Sequence, residues 1–320
     1  MRSLADGIDA RTRRAVLGIN ARTRRAVLGG YEAGWRLLHF VPEELTTRAF
    51  RAVADLAARR DGPGARQLRR NLTRVVPDAD RAELDALVRG GLRSYARYWQ
   101  EVFLLPWADH AALVSRLDSA FDGVEHLNSA LSAGRGVVVV LPHTGNWDMA
   151  GLWLVRRHGT FSTVVERLAP EELYQRFVEY RAALGFDVIP LTGAGNPIPR
   201  LLRRLRAGGV VCLLGDRDLT GAGTTVEFFG AAARMPLGPA RLAAATGATL
   251  LVLGSWFTAD GWGLRIHPPV PVPDRTAVHR ATQTVADCFA MDIAAHPQDW
   301  HMLQPLWIDD LPATLLRDAG

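Results

Sequence analysis

The sequence predicts an α/β fold in which helices surround a central mixed β-sheet and a helical layer precedes that sheet. Up to about residue 133, apolar residues recur at helical spacing between breaks rich in Pro and Gly. From Gly136 onward, short apolar runs alternate with helical stretches, a pattern typical of strands joined by helical crossovers. The chain has 320 residues, 48% of them apolar, which is enough to bury a substantial core.

The helical layer is predicted to span residues 31–133. Its longest helical pattern runs from about 82 to 105, and Pro42, Pro77 and the segment 62–64 interrupt the layer. A helix buries its apolar stripe against a neighbouring layer, so these helices are expected to pack on the sheet. Residues 31–320 are therefore predicted to form a single α/β domain.

The first 30 residues are predicted to form a separate basic arm. Residues 10–18 and 21–29 are the same nine residues, Ala-Arg-Thr-Arg-Arg-Ala-Val-Leu-Gly. We interpret this duplication as an artefact of the start site or of the expressed sequence. The alternative is a basic amphipathic arm that lies on a lipid surface, since its Arg residues are interspersed with Ala, Val and Leu.

The sheet and its helices are predicted from the patterns that follow residue 136. The predicted strands are 137–141, 161–165, 187–190, 210–214, 250–256 and 264–267. The predicted helices are 148–157, 170–184, 197–207, 237–246 and 277–295.

Composition narrows the setting of the protein. The formal net charge of +5 favours anionic partners such as phospholipid headgroups, phosphorylated cofactors or nucleic acid. Cys212 and Cys288 have neither a CxxC spacing nor a disulfide framework, which predicts a reduced, cytoplasmic setting. The start of the chain lacks the apolar core of a signal peptide, and the longest apolar stretch, 242–258, is too interrupted to predict a membrane span.

One segment has the features of a catalytic site. The predicted strand 137–141 and Pro142 are followed by His143-Thr144-Gly145-Asn146-Trp147-Asp148, where a helix begins. His143 therefore lies at the carboxyl end of a strand, where ligands bind in open α/β sheets. We expect His143, in the turn before the helix, to fold back onto Asp148 in the first helical turn, which would fix its tautomer and leave the other ring nitrogen as a general base.

Polar residues near the same predicted edge are candidates for substrate binding. Glu166 and Arg167 end the next strand and are expected to hold hydroxyls or a phosphate of the substrate, with a surface ion pair as the alternative. Arg181, on the following helix, is expected to reach a polar headgroup. Asn146 is either a substrate ligand or the N-cap of the helix.

Three further carboxylates are candidates. Asp216 and Asp218 flank Arg217 after the predicted strand 210–214, where they serve a structural or sugar-binding role or, as the alternative, bind a metal ion. Glu227 is a second candidate for orienting His143 or for binding the sugar. The sequence has no Gly-x-Ser-x-Gly motif that would indicate a serine nucleophile.

The segment around His143 closely resembles the signature of the bacterial late acyltransferases, which include lipid A lauroyl transferases and mycobacterial phosphatidylinositol mannoside acyltransferases. The resemblance covers roughly residues 90–307. Further segments match in the same order: Ser94-Tyr95-Ala96-Arg97-Tyr98-Trp99, Leu105-Pro106, Val165-Glu166-Arg167, Gly215-Asp216-Arg217-Asp218, Phe228-Phe229-Gly230, Ala233-Arg234-Met235-Pro236, Gly238-Pro239-Ala240 and His296-Pro297-Gln298-Asp299-Trp300.

The resemblance implies a glycerolipid acyltransferase-like fold and acyl transfer from acyl-CoA to a glycolipid hydroxyl, without a covalent intermediate, a metal or another cofactor. The chain contains no lysine and is rich in Ala and Gly, which suits the actinobacterial branch. That branch implies palmitoyl-CoA as donor and the 6-hydroxyl of a mannose of phosphatidylinositol mannoside as acceptor. We expect peripheral binding to the anionic cytoplasmic face of the plasma membrane, and no nucleic acid partner.

Three alternatives remain open from the sequence. The same chemistry is compatible with a lipid A precursor or another glycolipid as acceptor. A metal-dependent phosphohydrolase would use His143, Asp148, Asp216 and Asp218 as ligands. A protein without catalytic activity would bind lipid through its basic arm and its aromatic residues alone.

Overall fold

The computed structural model describes residues 29–30, 34, 37–167, 171–193, 195–218 and 221–311. The duplicated nonapeptide, apart from its last residue Gly29, and nearly all of the predicted basic arm lie outside these residues. Between residues 43 and 132 the structure describes the helices α1 (Glu43–Arg60), α2 (Pro63–Val75), α3 (Arg81–Leu104), α4 (His110–Asp118) and α5 (Val124–Ser132).

The longest of these helices, α3, has a strong start signal. Asp80 accepts a hydrogen bond from the backbone N–H of Glu83, and the Glu83 side chain accepts one from the backbone N–H of Asp80. This reciprocal capping box satisfies two backbone donors at the start of the helix. One face of α3 contacts α1 and α2, and Tyr98 and Val102 pack into the core beneath the sheet. The helical layer therefore lies against the sheet, as expected.

The remaining elements form the sheet and its crossovers. The strands are β1 (Phe121–Asp122), β2 (Val137–Leu141), β3 (Phe161–Val165), β4 (Asp187–Pro190), β5 (Val210–Leu214), β6 (Thr224–Phe228), β7 (Ala231–Met235), β8 (Thr249–Phe257) and β9 (Trp262–Ile266). The helices are α6 (Trp147–His158), α7 (Glu171–Ala183), α8 (Ile198–Arg206), α9 (Gly238–Thr246) and α10 (Val278–Ala295). Short 3₁₀ turns lie at Leu38–Phe40, Leu105–Trp107, Arg275–Ala277, Pro297–Asp299 and Ile308–Asp310.

Seven strands form one mixed sheet in the order β1-β9-β8-β2-β5-β3-β4. The strands β8, β2, β5, β3 and β4 run parallel, whereas β9 runs antiparallel to β8. This arrangement confirms the predicted α/β class with a central mixed sheet. The register pairs Leu141 of β2 with Leu214 of β5, so the residues that follow these two strands emerge side by side.

Both faces of the sheet are covered. Every residue of β2 is buried, as expected for a central strand with helices on both sides. Val138 and Val140 pack in a core with residues of α8, α9 and α10. Their neighbours Val137, Val139 and Leu141 point the opposite way, into a core with residues of α3, α6 and α7.

Strands β6 and β7 form an antiparallel hairpin outside the main sheet. The sequence patterns predict neither strand. The turn places Phe229 at φ 51° and Gly230 at φ 70°, a geometry typical of tight hairpin turns that usually have Asn or Gly at both positions. The indole of Trp307 donates to the carbonyl of Phe228 at 2.9 Å, which ties the hairpin to the end of the described chain.

Candidate active site

His143 lies in the loop between β2 and α6. The loop turns sharply at Gly145, whose φ is 52°; a Cβ there would lie 2.8 Å from the Ser255 carbonyl carbon. Two backbone hydrogen bonds tie the loop to residues 299–301. The N–H of His301 donates to the His143 carbonyl at 2.8 Å, and the N–H of Gly145 donates to the Asp299 carbonyl at 3.0 Å. The main chain at and after His143 is therefore held by the segment 299–301.

The carboxylate that contacts His143 belongs to Asp216. Its Oδ1 lies 2.5 Å from Nδ1 of the imidazole, and its Oδ2 accepts from the backbone N–H of His143 at 2.9 Å. Asp216 follows β5 as His143 follows β2, and the parallel register brings the two together. Burial raises the pKa of Asp216, but the charge and hydrogen bonds of His143, with the Trp300 indole, bring this pKa below its ordinary value. The carboxylate thus stays ionised and holds Nδ1–H, which leaves Nε2 as the basic nitrogen.

The structure differs from the predicted contact between His143 and Asp148. The Asp148 carboxylate accepts from Arg181 Nε at 2.8 Å and Nη2 at 3.2 Å, and from the Tyr98 hydroxyl at 2.9 Å. Asp148 lies in the first turn of α6, and its buried side chain points between α3 and α7. Burial lowers the pKa of Arg181, but the neighbouring Asp148 carboxylate raises it above its ordinary value. Asp148 and Arg181 therefore form a buried ion pair beside the histidine loop.

Asn146 is the N-cap of α6. Its Oδ1 accepts from the backbone N–H groups of Asp148 and Met149, both at 3.1 Å, and its Nδ2 donates to the Glu101 carboxylate at 2.6 Å. The cap satisfies donors that a helix start leaves free. The backbone amides of Asp148 and Met149 therefore already donate to Asn146 and are not free to stabilise a developing oxyanion.

A cleft of about 560 Å³ opens beside His143. Its lining is mixed: aromatic and aliphatic side chains from α3, α7 and the starts of α8 and α9 face a few charged groups. The lining includes His143, Trp147, Tyr95, Trp99, Phe177, Arg181, Glu166, Arg217, Asp218, Arg241 and His301. A ligand with polar hydroxyls and an apolar part fits this chemistry.

A second cavity, of about 80 Å³, lies between the sheet and α6 and is lined almost entirely by apolar side chains. It shares Trp147, Val165 and Leu214 with the cleft wall. Cys212 lines it too, and burial raises the pKa of its thiol well above the ordinary value, so this thiol is not an activated nucleophile.

Comparisons with known proteins agree with this architecture. The chain matches the family model for the bacterial lipid A biosynthesis acyltransferase over residues 22–308, which is most of its length. The chain belongs to this family. This confirms the family predicted from the sequence.

Two mycobacterial members of the family illustrate the similarity. The chain is 53% identical over 285 residues to the phosphatidylinositol mannoside acyltransferase of Mycolicibacterium smegmatis (strain ATCC 700084 / mc(2)155), which covers 88% of this chain and 91% of that protein. It is 51% identical over 282 residues to the phosphatidylinositol mannoside acyltransferase of Mycobacterium tuberculosis (strain ATCC 25618 / H37Rv), with 88% of each chain covered.

Glu166 and Arg167, both predicted to bind substrate, have different surroundings in this family member. Glu166 is half-exposed, lines the cleft and lies 3.8 Å from Arg217. Arg167 instead makes two hydrogen bonds of 2.7 Å to the Glu171 carboxylate at the start of α7. Of this predicted pair, the structure thus places Glu166 at the cleft and engages Arg167 in a helix-start ion pair.

Asp218 and Glu227 have different surroundings. Asp218 accepts from the backbone N–H groups of Gly221 and Gly223 at 3.0 and 2.8 Å and shapes the loop before the hairpin. Glu227 is exposed on β6, where its backbone exchanges hydrogen bonds with the Gln283 side chain. The carboxylate at the His143 ring is Asp216, not Glu227. Among the described residues, no three His, Cys, Asp or Glu side chains are grouped in a way that would hold a metal ion.

The sequence predicts a structural, sugar-binding or metal-binding role for Asp216 but not its contact with His143, and it predicts no role for His301. Both sit close to His143 because of long-range pairing: Asp216 through the β2–β5 register, and His301 through its backbone bond to His143. One local signal was available for Asp216, since it follows a strand at the same offset as His143. Nothing local distinguishes His301 from any residue after a 3₁₀ turn.

Proposed function

We propose that this protein transfers a palmitoyl group from palmitoyl-CoA to the 6-hydroxyl of a mannose of phosphatidylinositol mannoside. The family and the names of its relatives support acyl transfer to a glycolipid. The donor, the chain length and the acceptor hydroxyl are carried over from the resemblance of the motifs. Coenzyme A is a co-substrate here, and we propose neither a metal nor another cofactor.

The 2.5 Å contact between His143 Nδ1 and Asp216 Oδ1 in the cleft wall carries this proposal. In the proposed reaction, Nε2 of His143 takes the proton of the mannose hydroxyl as its oxygen attacks the thioester carbonyl carbon. The carbon–sulfur bond then breaks, and the imidazolium returns the proton to the leaving thiolate. Asp216 stabilises the imidazolium, and general-base help of this kind is worth about 10²–10⁴ in rate.

The two cavities suit the two substrates. The mixed lining of the larger cleft offers hydrogen-bonding partners for a sugar and Arg217 and Arg241 for phosphate groups. The smaller cavity offers apolar surface for part of an acyl chain next to the same wall. We propose that the Asp148–Arg181 pair keeps this wall in place, so that Asp148 acts on the site through packing.

We propose that the protein works at the surface of an anionic membrane. Among the described residues, no helix is long and apolar enough to cross a bilayer. On the outer face of α1, the apolar side chains of Leu45, Val53 and Leu56 are exposed, with Arg48 and Arg59 beside them. An apolar stripe flanked by arginines is typical of helices that lie in the lipid interface. The aromatic residues of α3 and the turn after it contribute less to such a surface, because Tyr98 and Phe103 are buried and only Trp107 among these three is exposed.

A comparison of acceptors tests the proposed function. Purified protein is incubated with radiolabelled palmitoyl-CoA and either phosphatidylinositol mannoside or a lipid A precursor, and the lipid products are separated by thin-layer chromatography. We expect label in the mannolipid only, with an excess of chelator making no difference. Transfer to the lipid A precursor but not to the mannolipid would show that the proposed acceptor is wrong. Transfer that survives exhaustive chelation would exclude the metal-dependent alternative.

A further inference from the structure

Two buried polar atoms beside His143 lack hydrogen-bond partners among the described residues. They are the indole nitrogen Nε1 of Trp147 and the imidazole nitrogen Nδ1 of His301. Both side chains line the cleft. A buried donor or acceptor without a partner is unfavourable by about 1–3 kcal/mol, so such groups in native proteins call for an explanation.

The hydrogen bonds around His301 fix its tautomer. The Ser94 hydroxyl has a single proton, which it donates to Oδ1 of Asp299 at 2.6 Å. Nε2 of His301 lies 2.9 Å from the same hydroxyl oxygen, so Nε2 must carry a proton and donate it. Nδ1 is therefore a bare acceptor. Burial lowers the pKa of His301 to about 3, which keeps the ring neutral and this acceptor available at neutral pH.

The two unpaired atoms are complementary. Trp147 offers an N–H donor and His301 an acceptor nitrogen, on neighbouring rings whose centroids are 6.2 Å apart. A single oxygen at about 2.9 Å from each nitrogen bonds both atoms when the two nitrogens face each other. The bridging group must both accept and donate, as a hydroxyl does. A thioester carbonyl cannot donate to Nδ1, and the attacking hydroxyl gives its only proton to His143.

We propose that Trp147 and His301 together bind one hydroxyl of the acceptor sugar, a hydroxyl other than the one that is acylated. This inference rests on the proposed function and adds a basis for selecting the acceptor. The His301 backbone N–H bonds the His143 carbonyl, and the Trp147 ring packs edge-on to the His143 ring at 5.6 Å. A hydroxyl held here fixes the sugar relative to the base. Both side chains are positioning residues in this assignment.

A substrate and variant cycle tests the inference. The acceptors are phosphatidylinositol mannoside and analogues that each lack one mannose hydroxyl other than the 6-hydroxyl. Two substitutions remove one partner each: Trp147→Phe deletes the N–H, and His301→Gln deletes the Nδ1 acceptor while its amide still reaches Ser94. His296→Gln is the control, since that ring stacks on Trp256 instead. The measurement is kcat/KM for each pair of protein and acceptor.

We expect one deoxy analogue to react about 10- to 100-fold more slowly than the parent acceptor with the wild-type protein and with His296→Gln. The deficit of the same analogue should be clearly smaller with Trp147→Phe and with His301→Gln, because each variant already lacks one of the two contacts with that hydroxyl. A merely structural defect would slow all acceptors by one factor and leave the analogue's deficit intact.

Two results would overturn the inference without touching the proposed function. In the first, the deoxy analogue reacts as slowly, relative to the parent acceptor, with both variants as with the wild type. In the second, both variants react like the wild type with every acceptor, which would mean that water satisfies Trp147 Nε1 and His301 Nδ1. A wild-type protein that acylates no mannolipid would instead refute the proposed function, and this inference with it.

Discussion

At the scale of single residues, the site depends on which carboxylate faces His143. Asp216 is fully buried, and its oxygens accept from the imidazole, from the His143 backbone and from the Trp300 indole. Asp148 is equally buried but faces a permanent cation, Arg181. The two aspartates therefore have different partners: Asp216 contacts the imidazole that we propose as the base, and Asp148 pairs with the buried Arg181.

Replacing each aspartate by asparagine separates these duties. Asp216→Asn is expected to lower kcat about 10²–10⁴-fold, because an amide cannot stabilise the imidazolium or enforce the tautomer. Asp148→Asn is expected to lower the free energy of unfolding by about 3 kcal/mol, because Arg181 loses its counter-charge in a buried setting. Steady-state kinetics and urea unfolding of both variants check this.

The opposite pattern would contradict the assignment. If Asp148→Asn lowers kcat as much as Asp216→Asn does while its free energy of unfolding is unchanged, then Asp148 and not only Asp216 assists His143 in catalysis. Arg181→Gln serves as a further control, since it should reproduce the structural defect of Asp148→Asn.

The sequence predicts His143 but not its partner, for a physical reason. The end of a buried strand, a proline and a turn before a helix are local features, and they place His143 at the ligand-binding edge. The partner depends on which strands are neighbours in the sheet. β2 and β5 are adjacent although two strands and three helices separate them in sequence, and no local pattern reports that adjacency.

At the scale of elements, the loop between β2 and α6 requires glycine at position 145. We expect Gly145→Ala to lower the free energy of unfolding by at least about 2 kcal/mol, for two reasons. Residue 145 has a left-handed backbone conformation that disfavours alanine, and the added Cβ would be too close to the backbone of β8. Gly134→Ala is the matched control: its φ is 69°, yet a Cβ there meets nothing within 4 Å. Urea unfolding of both variants measures the difference. Equal losses would show that contact with β8 is unimportant.

The link between β9 and α10 is expected to be sensitive to pH. His267 follows β9, is buried, and contacts Asp292 of α10 at 2.7 Å; this hydrogen bond and a second one to Cys288 raise the pKa of His267 to about 9. The protonated ring is thus favoured by folding. Its stabilising effect, about 3 kcal/mol at most, is complete below pH ~6.5 and is lost as pH rises to about 9.

The variant His267→Gln tests this link. It should be less stable than wild type at pH 6, and the difference should shrink as pH approaches 9, because His267 of the wild type then loses its proton. In both proteins Asp292 keeps its contact with Arg265 at 3.1 Å. The control is His279→Gln, which alters an exposed histidine on α10, the helix that carries Asp292. Urea unfolding across this pH range gives the answer, and a difference that is constant or grows with pH would contradict the account.

The hairpin β6–β7 could not be predicted from local sequence patterns. Its second strand, Ala231-Ala232-Ala233-Arg234-Met235, has a composition that favours helix, and its turn places a phenylalanine at positive φ. Contacts with Trp307 and α10 hold it in place. The six longer strands of the main sheet were predicted within two residues at each end, because their runs of Val, Leu and Ile are flanked by clear breaks.

At the scale of the whole molecule, α1 is the proposed membrane contact. The double variant Val53→Asp with Leu56→Asp is expected to reduce flotation with vesicles rich in anionic lipid about tenfold or more, since each exposed side chain contributes about 1.5–3 kcal/mol when buried. Added salt should weaken flotation of the wild type. Met291→Asp alters an exposed apolar residue on α10 and is the control. Equal flotation of all three proteins would place the membrane contact elsewhere.

The architecture itself was largely predictable. Alternation of buried strands with helices indicates an α/β class with little ambiguity, and the order of the matching segments indicates the family. The number of domains remains a prediction. The shape of the cleft was not predictable, because α3, α7 and α8 meet there only through the three-dimensional order of the strands.

The central claim is that His143, held by Asp216, catalyses acyl transfer to a mannolipid. The most direct measurement is the rate at which wild type and His143→Ala convert phosphatidylinositol mannoside and palmitoyl-CoA to product, with the acylated position read by mass spectrometry and NMR. We predict transfer to a mannose 6-hydroxyl by the wild type, a rate at least about 10²-fold lower for the folded variant, and retained membrane binding by both. A folded His143→Ala protein that acylates at the wild-type rate would contradict the claim.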